Sequence, residues 1–542
     1  MHTHFEWLTR FNVSSLQVYR LDVVYLPYQQ PFLSIAFKRE VMGSNDMYRI
    51  VIVGGGSAGW MTASALAKVL PNHLYTITLV ESKQIGTVSV GEATIPAIRQ
   101  FNALLGLDEN TFLKATKGTF KLGIEFKDWG TLGSQYMHPF GPYGLPLQGV
   151  PFYHYLLKHW QRNGKSSPKD FCLEWTAAKA GKFSRPVANA KNPLVGIKYA
   201  FHFDAVAYAA TLKQLAISLG VTAIEGEIIH IEQHKPSGDI KHVQLKDERC
   251  IEGDLFIDCS GFKGLLIEKV LGVGIEDWRH YLPCDSAIAI PTERLPHTAP
   301  YTVSTAREAG WQWQIPLQHR IGNGHVFASD YMSESDAIDL LQQRLPSAQI
   351  GEPNRLRWIN GYRSSPWQNN CVAIGLSAGF LEPLESTGLQ LIQSAIMRLI
   401  SLFPSRQISD IDRQTYNRYC REEMEQIRDF IILHYKASSR DDTPFWQYCQ
   451  SMPIPDTMQE KLDLYKSHGR LFREQTELFN EISWFSVLNG QGIVPSHYHP
   501  LVDAISEQEV GRYFSGVKHA IQAALAQMPS HDDFIRAKCE TH

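Results

Sequence analysis

Three glycines with GxGxxG spacing follow an apolar run and could bind the pyrophosphate of a dinucleotide. Gly54, Gly56 and Gly59 come directly after residues 50–53 and before a helix-favouring segment that begins at Trp60. In such a unit the first glycine permits the tight turn, the second lets the backbone approach the phosphates, and the third lets the helix pack on the strand. A glycine-rich turn without a ligand is the alternative. The flanking strand and helix favour dinucleotide binding.

Glu81 supplies the carboxylate that this kind of site needs. It ends a second apolar run, residues 75–80, and lies roughly 20 residues beyond the start of the helix, where a carboxylate can hold a ribose hydroxyl. The free N–H groups at the helix N-terminus would bind the phosphates.

Residues 385–388, with the sequence ESTG, precede a strongly apolar helix predicted over residues 389–403 and could bind a small anion. Ser386 and Thr387 are good N-caps. Cap positions leave backbone N–H groups free at the positive end of the helix dipole, so an anion could contact the amides of Thr387 and Gly388. Spacing alone favours an ordinary capped helix without a ligand.

Other candidate side chains have simpler explanations on local grounds. Lys121 lies on the polar face of a predicted half-buried strand over residues 118–129, where a solvated lysine is the usual outcome. His138, in a Gly/Pro/aromatic loop predicted over residues 130–151, could stack on an aromatic substrate, although a structural histidine is more common. Trp311 and Trp313 alternate on one strand, and core packing is the simpler explanation for both.

The remaining pattern is that of an α/β protein with a helical C-terminal part. Strands are predicted within residues 221–232, 240–246, 252–261, 287–290, 311–315 and 371–375. The apolar segment 252–261 ends in a small-residue turn, which suits a further crossover onto the nucleotide-binding sheet. We predict an amphipathic helix over residues 202–219 and a mostly helical chain from Asp410 onward.

Composition excludes several classes of function. The chain has 542 residues, a net charge of -3, 44% hydrophobic and 20% charged residues, which is a globular composition without a basic block for nucleic acid. The eight cysteines form no CxxC pair, so neither a metal site nor a disulfide framework is indicated, and reduced thiols in a cytoplasm fit best. No segment is apolar for long enough to span a membrane. We expect residues 1–46 to be an N-terminal extension that is not native, with translation starting near Met42 or Met47.

Four motifs occur in order: GGGSAGW at residues 54–60, VGEATIP at 90–96, WQWQIP at 311–316 and EPLESTG at 382–388. With HFD at 202–204, DCSGF at 258–262 and DTPFW at 442–446, they resemble the flavin-dependent tryptophan halogenases. The resemblance covers nearly all of the chain from Met47 onward. It implies an α/β fold, with an FAD-binding, flavin-monooxygenase-like (Rossmann-type) domain over residues 47–405, a substrate-loop insertion at about 130–200, and a mainly helical substrate-binding part over 406–542.

The resemblance also implies a reaction. FADH2 and O2 would oxidise chloride or bromide to hypohalous acid, which passes through a tunnel to Lys121 and halogenates an indole or tryptophan-type ring. Lys121 would hydrogen-bond the acid or become a haloamine. Glu385 would polarise the electrophile, or stabilise the cationic ring intermediate and take its proton. The halide would contact Thr387 and Gly388. The motif residues that keep the flavin site from acting as a monooxygenase would be Trp311, Trp313, Ile315 and Pro316.

The residues that match the FAD site of the family are Gly54, Gly56, Ser57, Ala58, Gly59, Trp60, Glu81, Ala93, Ile228, Leu376 and Leu389. At the substrate end, His138 and Phe140 match stacking residues, Phe479 stands where the family has a tryptophan, and Glu474 matches the glutamate that grips the amino group. The expected pair of tyrosines is missing, with Ser467-His468-Gly469 roughly in its place. Our working hypothesis is therefore indole or a substituted indole as substrate, rather than free tryptophan.

The implied partners are a separate NAD(P)H-dependent flavin reductase and a small aromatic substrate, with no nucleic acid and no membrane. A homodimer is an option that the sequence does not decide. The alternative enzyme is an FAD-dependent aromatic monooxygenase, but Leu376-Ser377-Ala378 replaces the GDA-type turn common in hydroxylases and no second nucleotide motif is evident. A flavoprotein that binds ligand without turnover is a third possibility.

Overall fold

The computed structural model describes residues 47–82, 92–162, 164–186, 196–474 and 476–540. The chain from Met47 onward belongs to one compact unit. The predictions about residues 1–46, and Val90 and Gly91 of the VGEATIP motif, lie outside the described residues.

The strands of the described residues, in chain order, are β1 (Tyr48–Val53), β2 (Tyr75–Glu81), β3 (Glu92–Ala93), β4 (Thr119–Lys121), β5 (Gly123–Lys127), β6 (Gln135–Pro139), β7 (Ala200–Phe203), β8 (Thr222–Glu225), β9 (Ile228–Gln233), β10 (Ile240–Leu245), β11 (Cys250–Glu252), β12 (Leu255–Asp258), β13 (Ile275–Asp277), β14 (Ser286–Glu293), β15 (Thr302–Arg307), β16 (Gly310–Pro316), β17 (Arg320–Phe327), β18 (Asn354–Arg357), β19 (Gly361–Arg363), β20 (Trp367–Gln368), β21 (Cys371–Ala373) and β22 (Gly379–Phe380).

The α-helices are α1 (Ser57–Val69), α2 (Ala97–Leu105), α3 (Glu109–Ala115), α4 (Phe152–Gln161), α5 (Leu173–Lys179), α6 (Ala205–Ser218), α7 (Glu334–Gln343), α8 (Gly388–Ser401), α9 (Asp410–Lys436), α10 (Pro444–Ser451), α11 (Asp456–His468), α12 (Glu481–Gly490), α13 (Glu507–Gln527) and α14 (His531–Lys538). The helical C-terminal part is thus confirmed. The division at residue 405 stays a prediction.

A six-stranded sheet carries the glycine turn. Its order is β20-β21-β12-β1-β2-β8, and every pairing is parallel except the edge pair β20–β21. The residues of β1 from Ile50 to Val53 are all buried, as expected for a parallel strand covered on both faces. The segment predicted to cross onto this sheet is β12, which pairs with β1. The expected α/β fold is therefore confirmed.

A seven-stranded sheet of order β18-β14-β17-β16-β15-β5-β6 carries both the WxWxIP strand β16 and His138. The prediction of a half-buried strand over residues 118–129 is wrong. Two strands, β4 and β5, meet at Leu122, and residues 119–126 are all buried, so neither face is exposed to solvent. Strand β4 pairs with β7, and β5 lies between β15 and β6. His138 lies on β6, paired with Ile124, so its assignment to a loop is also wrong.

The predicted helix over residues 202–219 begins later than expected. His202 lies on β7, and Asp204 caps α6 by accepting from the amides of Val206 and Ala207. Among the described residues no helix combines the length and the apolar character that a membrane crossing requires. All eight cysteines are described and free.

Candidate functional site

The turn between β1 and α1 has the geometry that its glycines predicted. Gly54 has φ +118°, and a Cβ there would lie 2.2 Å from the carbonyl oxygen of Cys259. A Cβ on Gly59 would lie 1.8 Å from the carbonyl oxygen of Gly54, so helix and strand could not stay in contact. Helix α1 begins at Ser57 behind an extended Gly56, with no side-chain cap. Its first N–H groups therefore remain available for a phosphate.

The side chain of Glu81 lies next to this turn. A Cβ on Gly55 would lie 2.1 Å from Glu81 Oε2. The Trp60 indole donates to Glu81 Oε2 at 3.2 Å, and the Lys213 ammonium pairs with Oε1. The predicted carboxylate thus lies beside the turn and is fixed by Trp60 and Lys213.

The turn that follows β21 also approaches helix α1. Gly375 has φ +80°, and a Cβ there would lie 2.8 Å from the Cβ of Ala58. Leu376 follows it, and Leu389 is buried in the first turn of α8. The uncapped helix, the glycine turn and Glu81 therefore fit the dinucleotide part of FAD. Ala93 lies on β3 and Ile228 begins β9, outside the six-stranded sheet, and their contacts with FAD stay predictions.

Lys121, at the end of β4, is fully buried, so its interpretation as a solvated lysine is wrong. Its Nζ donates to Ser386 Oγ at 2.8 Å and lies 5.4 Å from the ring centroid of Phe140. Burial lowers the pKa of the Lys121 ammonium to about 7, and the negative charge of Glu385 offsets only part of this effect. At neutral pH the amine can therefore both donate and accept a proton.

Glu385 lies between two histidines in the interior. His138 Nδ1 is 3.0 and 2.9 Å from its two oxygens, and His434 Nε2 is 2.8 Å from Oε1. Burial would raise the pKa of Glu385, but the attraction and hydrogen bond of His138, together with the proximity of His434, outweigh it and lower the pKa to about 2. The carboxylate therefore stays charged in a buried site.

His434 is a member of this site that the sequence did not predict. It is buried near the end of α9, and its Nδ1 lies 2.9 Å from the carbonyl oxygen of Phe430. Because a carbonyl only accepts, Nδ1 carries the proton and Nε2 faces Glu385. Nε2 is at ion-pair distance from the carboxylate but lacks the alignment of a hydrogen bond. A histidine within a long amphipathic helix gives no sequence signal that distinguishes it from a core histidine.

Aromatic rings surround this cluster. Phe430 stacks on Phe479 at 3.9 Å between centroids, and His138 lies 5.6 Å from Phe430 and 6.0 Å from Phe479. Trp484 meets Phe430 edge to face at 5.5 Å. Phe479 and His138 thus lie close together. The sequence did not indicate Phe430 and Trp484 as site residues, because apolar residues on helices usually belong to the core.

The start of α8 differs from the predicted capped helix. Thr387 is the N-cap residue, but it makes no capping bond, and its Oγ1 has no hydrogen-bond partner among the described residues. Ser386 has φ +60° and its hydroxyl accepts from Lys121 instead of capping. A Cβ on Gly388 would meet no heavy atom within 4 Å, so space is open beside its amide. The helix end keeps its positive dipole free for an anion.

The residues predicted to bind the amino group of a substrate do not form a buried site. Glu474 is exposed, and its own amide donates to Glu477 Oε2 at 3.1 Å. Glu477 is buried but pairs with the Lys461 ammonium. Ser467 is exposed at the end of α11. The described residues here offer no buried, unpaired carboxylate.

The WxWxIP strand lies in the interior. Trp311 and Trp313 are 2% and 4% exposed, with ring centroids 6.1 Å apart, and Ile315 is buried too. The Trp311 indole donates to Glu382 Oε1 at 3.1 Å. Pro316 accepts at its carbonyl from Thr119 on β4, the strand that ends in Lys121. The motif strand is therefore tied to both EPLESTG and β4.

Comparison with known proteins identifies the family. The family model described as tryptophan halogenase matches residues 49–507. Tryptophan 6-halogenase of Streptomyces toxytricini is 34% identical over 525 residues, covering 92% of this chain and 99% of that protein.

Solved structures agree. A flavin-dependent halogenase from Xanthomonas campestris has 44% identity and a TM-score of 0.88, covering 92% of this chain and 99% of that one. One from Brevundimonas sp. BAL3 has 42% identity and a TM-score of 0.88, covering 91% and 99%. The chain therefore belongs to the tryptophan halogenase family of flavin-dependent enzymes.

Proposed function

We propose that this protein halogenates an indole-type ring with hypohalous acid, and that Lys121 and Glu385 carry the carbon–halogen step. The observation that carries the proposal is that an amine and an ionised carboxylate are both buried beside an aromatic cage. The two groups are also linked through the chain, because Lys121 donates a hydrogen bond to the hydroxyl of Ser386, the residue that follows Glu385. A solvated lysine could not hold one small acid over one ring carbon, whereas a desolvated and fixed one can.

Bound as FADH2 at the glycine turn, FAD would supply, together with O2, the oxidation of chloride or bromide to hypohalous acid. The open amide of Gly388 and the uncapped N-terminus of α8 support the halide site. The lack of a side-chain cap leaves the first N–H groups for the anion.

At the ring, the carbon forms its bond to halogen while the oxygen–halogen bond of hypohalous acid breaks. The Lys121 ammonium donates the proton with which the oxygen leaves as water, and Glu385 takes the proton of the ring. The pKa of Glu385 is about 2 and that of Lys121 about 7, so the proton passes back to the amine and both groups are restored. His138 and His434 hold the carboxylate in place.

Indole or a substituted indole is the substrate class that the site favours. The neutral ring needs only the cage of His138, Phe430, Phe479 and Trp484. Free tryptophan also needs a partner for its ammonium group, and the buried carboxylate that the described residues offer near Glu474, that of Glu477, is already paired with Lys461. We expect indole to win a direct competition with tryptophan, read as the ratio of halogenated products, and a clear preference for tryptophan would overturn this assignment.

The comparisons support a halogenase better than the alternative aromatic hydroxylase. The decisive test supplies FAD, NADH, a separate flavin reductase and an indole panel, with bromide, chloride or no halide. We expect product masses that shift with the halide, whereas a halide-independent gain of one oxygen would establish the hydroxylase. A homodimer stays a prediction.

A further inference from the structure

A second buried carboxyl, Glu382, lies three residues before Glu385 and has no part in the proposed chemistry. Its side chain is fully buried. Oε1 accepts from the Trp311 indole at 3.1 Å and from the Tyr435 hydroxyl at 2.5 Å. Burial raises the pKa of this carboxyl to about 7, although both hydrogen bonds lower it. Burial of a carboxyl group lowers the free energy of unfolding unless hydrogen bonds compensate for the lost water.

This carboxyl joins three separate elements. Trp311 belongs to β16, Glu382 to the segment that leads to Glu385, and Tyr435 to α9, one residue after His434. The segment is fixed independently as well, because the amide of Glu382 donates to Asn360 Oδ1 at 2.9 Å. Glu382 thereby sets the position of the motif strand relative to the loop and helix that hold Glu385.

The other oxygen, Oε2, has no hydrogen-bond partner among the described residues. Two other buried atoms, Trp313 Nε1 and Thr387 Oγ1, likewise have no hydrogen-bond partner among the described residues. Trp313 is two residues beyond Trp311, and Thr387 is five beyond Glu382. Unpartnered polar atoms in a core usually mark bound water or a small polar guest. Trp313 lies on the same strand as Trp311, and Thr387 lies in the same segment as Glu382, so these atoms belong to the two elements that the Trp311–Glu382 hydrogen bond joins.

We propose that Glu382 is a positioning residue that holds Trp311 and Tyr435 against the EPLESTG segment, and so keeps hypohalous acid inside the protein on its way to Lys121. The inference rests on the proposed halogenase function. Loss of the acceptor would release the Trp311 indole and let the acid escape before it reaches the amine.

The test compares Glu382→Leu with Glu382→Gln in the full chain, supplied with flavin reductase, NADH, FAD and bromide. Halogenated indole is measured together with hypohalous acid captured by an enolic 1,3-diketone in solution. Because Leu removes the acceptor from two buried donors, we expect the ratio of halogenated indole to trapped acid to fall about tenfold. Gln keeps an acceptor oxygen for both donors and should retain most of the ratio. A general structural defect would lower both products together and leave the ratio unchanged.

Trp311→Phe is the matched variant, since it removes the indole donor and leaves Glu382 in place. It should lower the ratio in the same direction, and the double variant with Glu382→Leu should be no worse than Glu382→Leu alone. A wild-type ratio in folded, FAD-binding Glu382→Leu, or additive losses in the double variant, would overturn the inference. If Glu382→Leu does not fold, an unchanged ratio in Trp311→Phe overturns it. Wild-type protein that gives no halogenated product would instead refute the proposed function.

Discussion

Replacement of Lys121 by methionine should stabilise the protein while abolishing halogenation. The ordinary pKa of the lysine is 10.5, and burial lowers it to about 7. Below pH 7 the folded and unfolded states both hold the proton, and between pH 7 and 10.5 only the unfolded state does. The free energy of unfolding therefore rises by about 1.4 kcal/mol per pH unit across that window. The cost of the buried ammonium is greatest below pH 7, where it is about 5 kcal/mol.

Methionine keeps an unbranched side chain that is one atom shorter and has no charge, so it avoids this cost. Glu385 is not left unpaired, because His138 and His434 remain beside it. Ser386 loses its donor, which costs about 1 kcal/mol. The net gain is therefore about 4 kcal/mol at pH 6 and about 1 kcal/mol at pH 9, where about 2 kcal/mol of the cost remains.

Thermal melts at pH 6 and pH 9, at one scan rate, measure this difference. Unfolding roughly 500 residues changes the entropy by about 1 kcal/mol/K, so the melting temperature of Lys121→Met should rise by about 4 °C at pH 6 and about 1 °C at pH 9. The exposed Lys68→Met serves as the control and should shift little at either pH. A destabilised Lys121→Met at pH 6, or a shift that does not depend on pH, would show that this amine is not a desolvated base.

Three further variants or conditions separate the steps of the reaction. Glu385→Gln should lower carbon halogenation by at least about 100-fold, since it removes the base, while hypohalous acid trapped in solution stays at the wild-type level; a similar loss of trapped acid would place Glu385 elsewhere in the reaction. Gly388→Ala should raise the KM for halide with little effect on stability, because its Cβ would enter the open space beside the amide without touching protein; an unchanged KM would remove the halide from this helix end. In wild-type protein, halogenated indole per hypohalous acid formed should fall as pH rises through about 7, where the Lys121 ammonium is lost, and a rise over the same range would favour the haloamine route.

Local chemistry made much of the fold predictable. The glycine turn needs no distant partner to be recognised, because φ +118° at Gly54 and the close approach at Gly59 admit only glycine. The continuous apolar runs of β1 and β2 indicate a buried parallel sheet from their own composition. The N-cap position of Thr387 follows from its place before an apolar helix, although the expected capping bond is absent.

The state of the candidate site was decided by tertiary structure. Alternation predicted an exposed face for Lys121, but period-2 patterning cannot reveal that the EPLESTG segment packs on this side chain, where Ser386 accepts a hydrogen bond from its amine. His138 and Glu385 are 247 residues apart in the chain, and His434 comes from a third element. A residue type fixes which groups can ionise. Only long-range packing fixes how much water surrounds them and which charges lie nearby, and these set the pKa values on which the proposed chemistry depends.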